Sequence, residues 1–301
     1  MKKLLILLLF IPLVFTCSSD SSDDNIDDTN PVYLDSNGVT IKSRDWAVVG
    51  ESGIINGITY TIVDGATLRN MIQNGDDVTR VCTSRITDMS NLIYDSPQSV
   101  NNNFNLQISN WDVSNVVNME YLFRNANSFN QPLDNWDVSN VVNMYGIFWG
   151  AATFNQDVSN WDVSSVTDMS FMFYGAHNFN QAINNWNVSN VTDMSAMFIG
   201  TLNFNQPINN WDVSNVSFMQ AMFEESAFNQ NISSWELENI SCMYRMFRNN
   251  TAYNQDLSSL EISFVEFNGS CNQCSEFCFG TTNWTLPKPI FTNCSEWLGC
   301  D

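Results

Sequence analysis

The sequence predicts an α/β repeat solenoid with one short strand and one short helix in each 25-residue coil. Three observations carry that expectation. Trp111, Trp136, Trp161, Trp186 and Trp211 stand 25 residues apart, with Trp235 following one residue early. A Met follows each Trp by eight positions and a Phe follows that Met by four, from Met119 and Phe123 to Met243 and Phe247. A further aromatic precedes each Trp by seven, from Phe104 to Phe228. A unit of this length cannot bury its apolar face alone, so neighbouring units must cover one another.

Taken in order, the chain divides into five stretches. Residues 1–16 read as a signal peptide: Lys2 and Lys3 precede an apolar run from Leu4 to Phe15, too short for a membrane span of about 20 residues. Residues 17–30 open with Cys17 and continue as a Ser/Asp tether. Val14-Phe15-Thr16-Cys17 resembles a bacterial lipoprotein signal, which would make Cys17 the lipid anchor. Phe15 departs from the small residues usual in that motif, and ordinary signal cleavage is the alternative.

Residues 31–85 read as an N-terminal capping region. Gly57 to Val63 is strand-like after a Gly-containing turn, and Ala66 to Asn74 is helical with Gly75 as its stop. Residues 86–259 form the repeats. The expected strand is the segment FNQxhxxW, such as Phe129 to Trp136. The expected helix is VTDMSFMFYGA, with Thr167 as cap, Asp168 in the first turn, Met169, Met172 and Phe173 on one face, and Gly175 as stop. Residues 260–301 read as a cysteine-rich C-terminal cap. Cys82, Cys242, Cys271, Cys274, Cys278, Cys294 and Cys300 are candidate disulfide partners in an exported chain, in preference to a thiolate zinc site. Seven thiols leave at least one unpaired within the chain.

Composition narrows the function. Lys and Arg number 11 against 32 Asp and Glu, a net charge of −21, which argues against a nucleic-acid partner. His177 is the single histidine. Neither a nucleophile elbow, a zinc-protease helix nor a phosphate loop occurs, so no enzyme activity, catalytic residue or cofactor is expected. Trp111, Trp136, Trp161, Trp186, Trp211 and Trp235 share phase with the Met and Phe positions and are placed in the core, in preference to a carbohydrate-stacking face.

Two other columns are candidates for a binding surface. Gln131, Gln156, Gln181 and Gln206 follow an Asn column that is itself read as a structural ladder. Asp112, Asp137, Asp162 and Asp212 each follow a Trp. Stacked carboxylates repel, so a diffuse cation atmosphere is expected over them, in preference to structural calcium, and no metal site is assigned.

The WDVSNVTNM-type units from Trp111 to Tyr253 resemble the BspA-like leucine-rich-repeat surface proteins of bacteria, in particular their lipoprotein branch. That resemblance implies a leucine-rich-repeat-like right-handed arc displayed at the bacterial outer membrane or cell surface. It also implies adhesion through an extracellular protein, matrix or glycan ligand, with the membrane reached through the lipid anchor. A structural or spacer lipoprotein of the envelope is the alternative.

Overall fold

The structure, a computed structural model, describes residues 29–94, 103–265, 274–292, 294 and 300. The expected signal peptide, Cys17 and Cys271 lie outside the described residues, as does most of the tether. Pro31–Asp301 forms one compact unit.

Its N-terminal part is a small α/β assembly. Strands β1 (Val32–Leu34) and β2 (Ile41–Ser43) pair antiparallel. Strands β3 (Ser52–Ile55) and β4 (Ile58–Ile62) form a hairpin closed by Asn56 and Gly57, both at positive φ, the Asn-Gly chemistry of a tight two-residue turn. Helix α1 (Gly65–Asn74) follows, and β5 (Val81–Cys82) then joins β4 in parallel. The helix is bounded by its own sequence. Asp64 accepts from the Thr67 N–H at 2.7 Å, and Gly75, at φ 76°, ends it with its N–H on the Ile72 carbonyl. Leu68 and Ile72 turn its apolar face into the core.

From Ile86 to Ser259 the described chain contains neither a helix nor a strand longer than a single bridge. Turns join one 25-residue unit to the next by a regular hydrogen-bond register. Single parallel bridges link Asn118 to Asn143, Asn143 to Asp168, and Asp168 to Asp193, then Phe218 and Cys242. Met119, Tyr121, Phe123 and Asn125 donate to the carbonyls of Asn143, Tyr145, Ile147 and Trp149 in the next unit. The alternate residues Leu122, Arg124 and Ala126 donate three residues back within their own unit. An α-helix keeps its N–H bonds internal, four residues back, whereas here half of them leave the segment.

This overturns the expected fold class. The molecule is not a leucine-rich-repeat-like right-handed arc with one strand and one helix per coil: it has one short helix and three small sheets that do not repeat. The segment read as a helix fails because Tyr121, Gly146, Phe171, Ala196, Ala221 and Arg245 all take φ between 55° and 58°, a left-handed setting that interrupts any helix between its Met and its Phe. Thr167 therefore caps nothing, and Asp168 accepts from the Ser170 N–H at 2.8 Å in a local turn. The segment read as a strand fails because Phe129 to Trp136 pairs its backbone with no neighbouring strand. Its inter-unit bonds come from side chains. The functional expectation built on that arc, adhesion or a spacer lipoprotein, falls with it.

The core runs through the turns. Trp, Met and Phe of each unit are buried, and equivalent rings stack, as Phe123 on Phe148 at 5.3 Å and Phe148 on Phe173 at 5.6 Å. Phe148 also lies 3.9 Å from Phe154 within its own unit. Stacked aromatic pairs add about 0.5–1.5 kcal/mol beyond their buried area. At the far end β6 (Glu261–Ser263) and β7 (Ile290–Thr292) pair in parallel, and the bridges Cys274–Cys294 and Cys278–Cys300 close loops over the last turns.

Candidate functional site: an aromatic and arginine ledge

The turn following each core Met has two positions that vary between units, the second and fifth residues after that Met. In the earlier units these hold Tyr121 and Arg124, Trp149 opposite Gly146, then Phe171 and Tyr174. Tyr94 holds the fifth position in the unit before, and Tyr145 directly follows Met144. The left-handed residue in each turn brings these side chains out of the same side of successive units, where they form one continuous half-buried cluster.

Its geometry is close-packed. Tyr121 meets Tyr145 edge-on at 4.8 Å and Trp149 at 5.8 Å. Trp149 stacks on Phe171 at 4.9 Å and lies 4.7 Å from Tyr174, while Tyr145 lies 5.3 Å from Phe171. The Arg124 guanidinium sits 4.5 Å from the Tyr121 ring, 4.6 Å from Tyr94 and 4.9 Å from Trp149. Gly146 makes room for this: a Cβ there would stand 2.6 Å from the Tyr121 ring. Burial, and then the neighbouring Tyr121 hydroxyl, hold the Tyr145 phenol above its ordinary range, so it stays a neutral donor.

Further along, the same two positions carry charges that cancel one another. Arg248 Nη1 lies 2.6 Å from Glu224 Oε1, and Arg245 Nε lies 2.8 Å from Glu276 Oε2. Arg248 Nε is also 3.1 Å from Glu276 Oε2, an ion pair without hydrogen-bond geometry. The Glu224 contact raises Arg248 above the usual guanidinium value.

The candidates read from sequence lie elsewhere. Gln131, Gln156 and Gln206 each donate a side-chain N–H to the Oδ1 of an Asn in the preceding unit, at 2.9 to 3.1 Å. Gln181 does the same to Asn155 Oδ1 and also reaches its carbonyl. That Asn oxygen also accepts a backbone N–H, as Asn130 Oδ1 does from Asn155 and Asn155 Oδ1 from Asn180. The Gln amides are thus engaged in holding units together.

Asp137, Asp162 and Asp212 are exposed and accept the N–H of Ser139, Ser164 and Ser214. Bonds from the Ser164 and Ser214 side chains, then from their backbone, hold Asp162 and Asp212 below the usual carboxylate value. Asp112 differs in being buried, with Ser84 Oγ donating to it at 2.5 Å.

Trp111, Trp136, Trp161, Trp186, Trp211 and Trp235 are all buried, and each indole N–H donates to a backbone carbonyl of an earlier unit, or of the N-terminal region for Trp111. Cys242 is disulfide-bonded, and Cys82 is a buried free thiol held on the Ile41 carbonyl.

A groove of about 710 Å³ opens near Trp235, Leu260 and Phe264, rimmed by Glu236, Glu238 and Glu261. Among the described residues no group of three or more His, Cys, Asp or Glu is placed to hold a metal ion, and no helix is long and apolar enough to cross a membrane.

The ledge was hidden from sequence reasoning because it occupies the positions where units differ, and a repeat reading attends to where they agree. Its signal was present: aromatics recur in consecutive units at the second and fifth positions after the core Met.

No curated protein and no solved structure matches the chain. Residues 65–186 and 167–284 each match the family model described as "Mycoplasma protein of unknown function, DUF285". This match, with a fold lacking a strand and helix in each unit, replaces the resemblance to BspA-like leucine-rich-repeat proteins. Since the two matches together reach from residue 65 to residue 284 of 301, the chain belongs to the DUF285 family.

Proposed function

We propose that the protein is a non-catalytic recognition module, acting outside the cytoplasm, that binds a partner protein along the ledge formed by Tyr94, Tyr121, Arg124, Tyr145, Trp149, Phe171 and Tyr174. The ledge itself carries the reading. Tyr, Trp and Arg are the residue types that supply most of the binding energy at protein interfaces, and here they are contiguous and half-exposed.

A glycan fits less well. Sugar stacking needs free ring faces, whereas Trp149 and Phe171 cover one another at an interplanar angle of 8°. An extracytoplasmic setting is supported by the Lys-flanked apolar leader and by the bridges Cys274–Cys294 and Cys278–Cys300. Cys17 followed by its acidic tether supports attachment to a membrane through lipid.

The test is site-specific photo-crosslinking in producing cells. A photoreactive residue at Tyr145 should yield a discrete adduct with one protein, and the same residue at the exposed Leu202 should not. Trp149→Ala, checked for retained folding, should lower the adduct at least tenfold. Equal labelling from the two positions would end this reading.

A further inference from the structure

We infer that the partner reaches the ledge with a carboxylate, an Asp or Glu side chain flanked by apolar residues, and that Arg124 is the residue that takes it. This rests on reading the ledge as the binding surface and names the chemistry that the surface selects.

The guanidinium of Arg124 is the ledge's cation, and among the described residues its charge is uncompensated. It lies within 4.9 Å of three ring centroids, yet no carboxylate of the described residues pairs with it. Its Nε is buried without a partner, its terminal nitrogens make no hydrogen bond among the described residues, and the side chain is half-exposed. Arg248 occupies the equivalent place five units on and makes the contrast, since Glu224 and Glu276 neutralise it there. The same fold position therefore carries an arginine paired with carboxylates at one end and, among the described residues, one without such a pair at the other.

Ring walls fix the guanidinium plane and leave its terminal nitrogens as the open end. A fixed planar fork matches a carboxylate through two parallel N–H bonds. One cation also suits a monoanion: a phosphate of nearly two charges would be left half-neutralised on a chain of net charge −21. That overall charge does not forbid an acidic side chain, because charges beyond about 8 Å are largely screened at physiological salt while the ring-walled contact is not. The half-exposed rims of Tyr121, Trp149 and Tyr174 would receive the flanking apolar residues.

The experiment titrates the full chain with acetyl-Phe-Glu-Phe-amide and with its Gln counterpart, following the Arg side-chain N–H resonances by NMR. The Arg124 signal is assigned by its loss in Arg124→Met. The expected result is that the Glu peptide binds at least tenfold more tightly than the Gln peptide. That advantage should vanish in Arg124→Met and be partly kept in Arg124→Lys, which retains charge but not the fork.

If both peptides bind equally, or Arg124→Met keeps the preference, the carboxylate inference is wrong while the ledge remains a binding surface. If neither peptide binds up to its solubility limit, both are wrong.

Discussion

The indole N–H of Trp161 donates to the carbonyl of Leu133 in the preceding unit at 3.0 Å, and both residues are buried. The Trp column is therefore more than an apolar filling. Each ring supplies volume to its own unit and satisfies a backbone acceptor of another part of the chain, where a sheet would have used a neighbouring strand's N–H.

Trp161→Phe and Trp161→Ala separate these two contributions. The Phe variant keeps most of the ring and removes one of two donors to the Leu133 carbonyl, which still accepts the Trp136 N–H at 3.1 Å, so it should cost about 0.5–1.5 kcal/mol. Removing the ring as well should cost about 3–5 kcal/mol. Denaturant unfolding of both variants against the parent checks the order: equal losses would mean the ring volume adds nothing, and a Phe variant as stable as the parent would mean the hydrogen bond contributes nothing.

The buried set was legible from spacing, because Trp, Met and Phe positions had to share an interior whatever backbone carried them. The backbone itself was not. Met169, Met172 and Phe173 have helical spacing, yet Phe171 between them sits at φ 58°, and a bulky residue in that setting announces nothing in sequence. Gly146, in the same register, was the one clue of the kind that chemistry makes visible. Likewise FNQ segments look like strands because they are extended, but their Asn side chains replace the backbone partners that would define one. The ledge escaped because its residues are the ones that do not repeat.

Gly146→Ala and Ala196→Gly test the turn from opposite sides. Both positions hold φ 55°. A methyl at Gly146 meets the Tyr121 ring at 2.6 Å in addition to the left-handed setting, so it should destabilise by about 1–3 kcal/mol and displace Tyr121 from the ledge. Glycine at 196 relieves the setting and should leave stability unchanged or raise it by up to about 1 kcal/mol. Thermal unfolding reads both, and a stabilising Gly146→Ala would remove the reason given for glycine there.

The Asn column should respond to the loss of its acceptor. Asn155 Oδ1 takes the N–H of Asn180 and the amide of Gln181, both at 2.9 Å. Asn155→Ala should cost about 1 kcal/mol, since the site is exposed and water replaces part of what is lost. Asn155→Asp keeps the acceptor and should cost less. Amide hydrogen exchange at Asn180 should quicken in the Ala variant and change little in the Asp variant. The opposite order would show that the side-chain oxygen does not hold this N–H.

Asp193 gives the pH prediction. Burial, and to a smaller extent the Asp168 carboxylate in the adjoining unit, raise its pKa, while Ser195 bonds oppose the shift. An acid whose folded pKa lies above its unfolded value binds its proton more tightly when folded. Its ionised form therefore disfavours folding at neutral pH, and the penalty fades as pH falls through the folded pKa toward the unfolded one. Asn118 and Asn143 already occupy this register and accept the same turn N–H through a neutral amide. Asp193→Asn should accordingly stabilise the protein at pH 7, and its advantage should shrink steadily on acidification into the carboxylate range. Paired denaturation curves at pH 7 and at pH about 4 measure it, and an advantage that grew at the lower pH would reverse the sign and show the Asp193 carboxylate to be favoured by the fold.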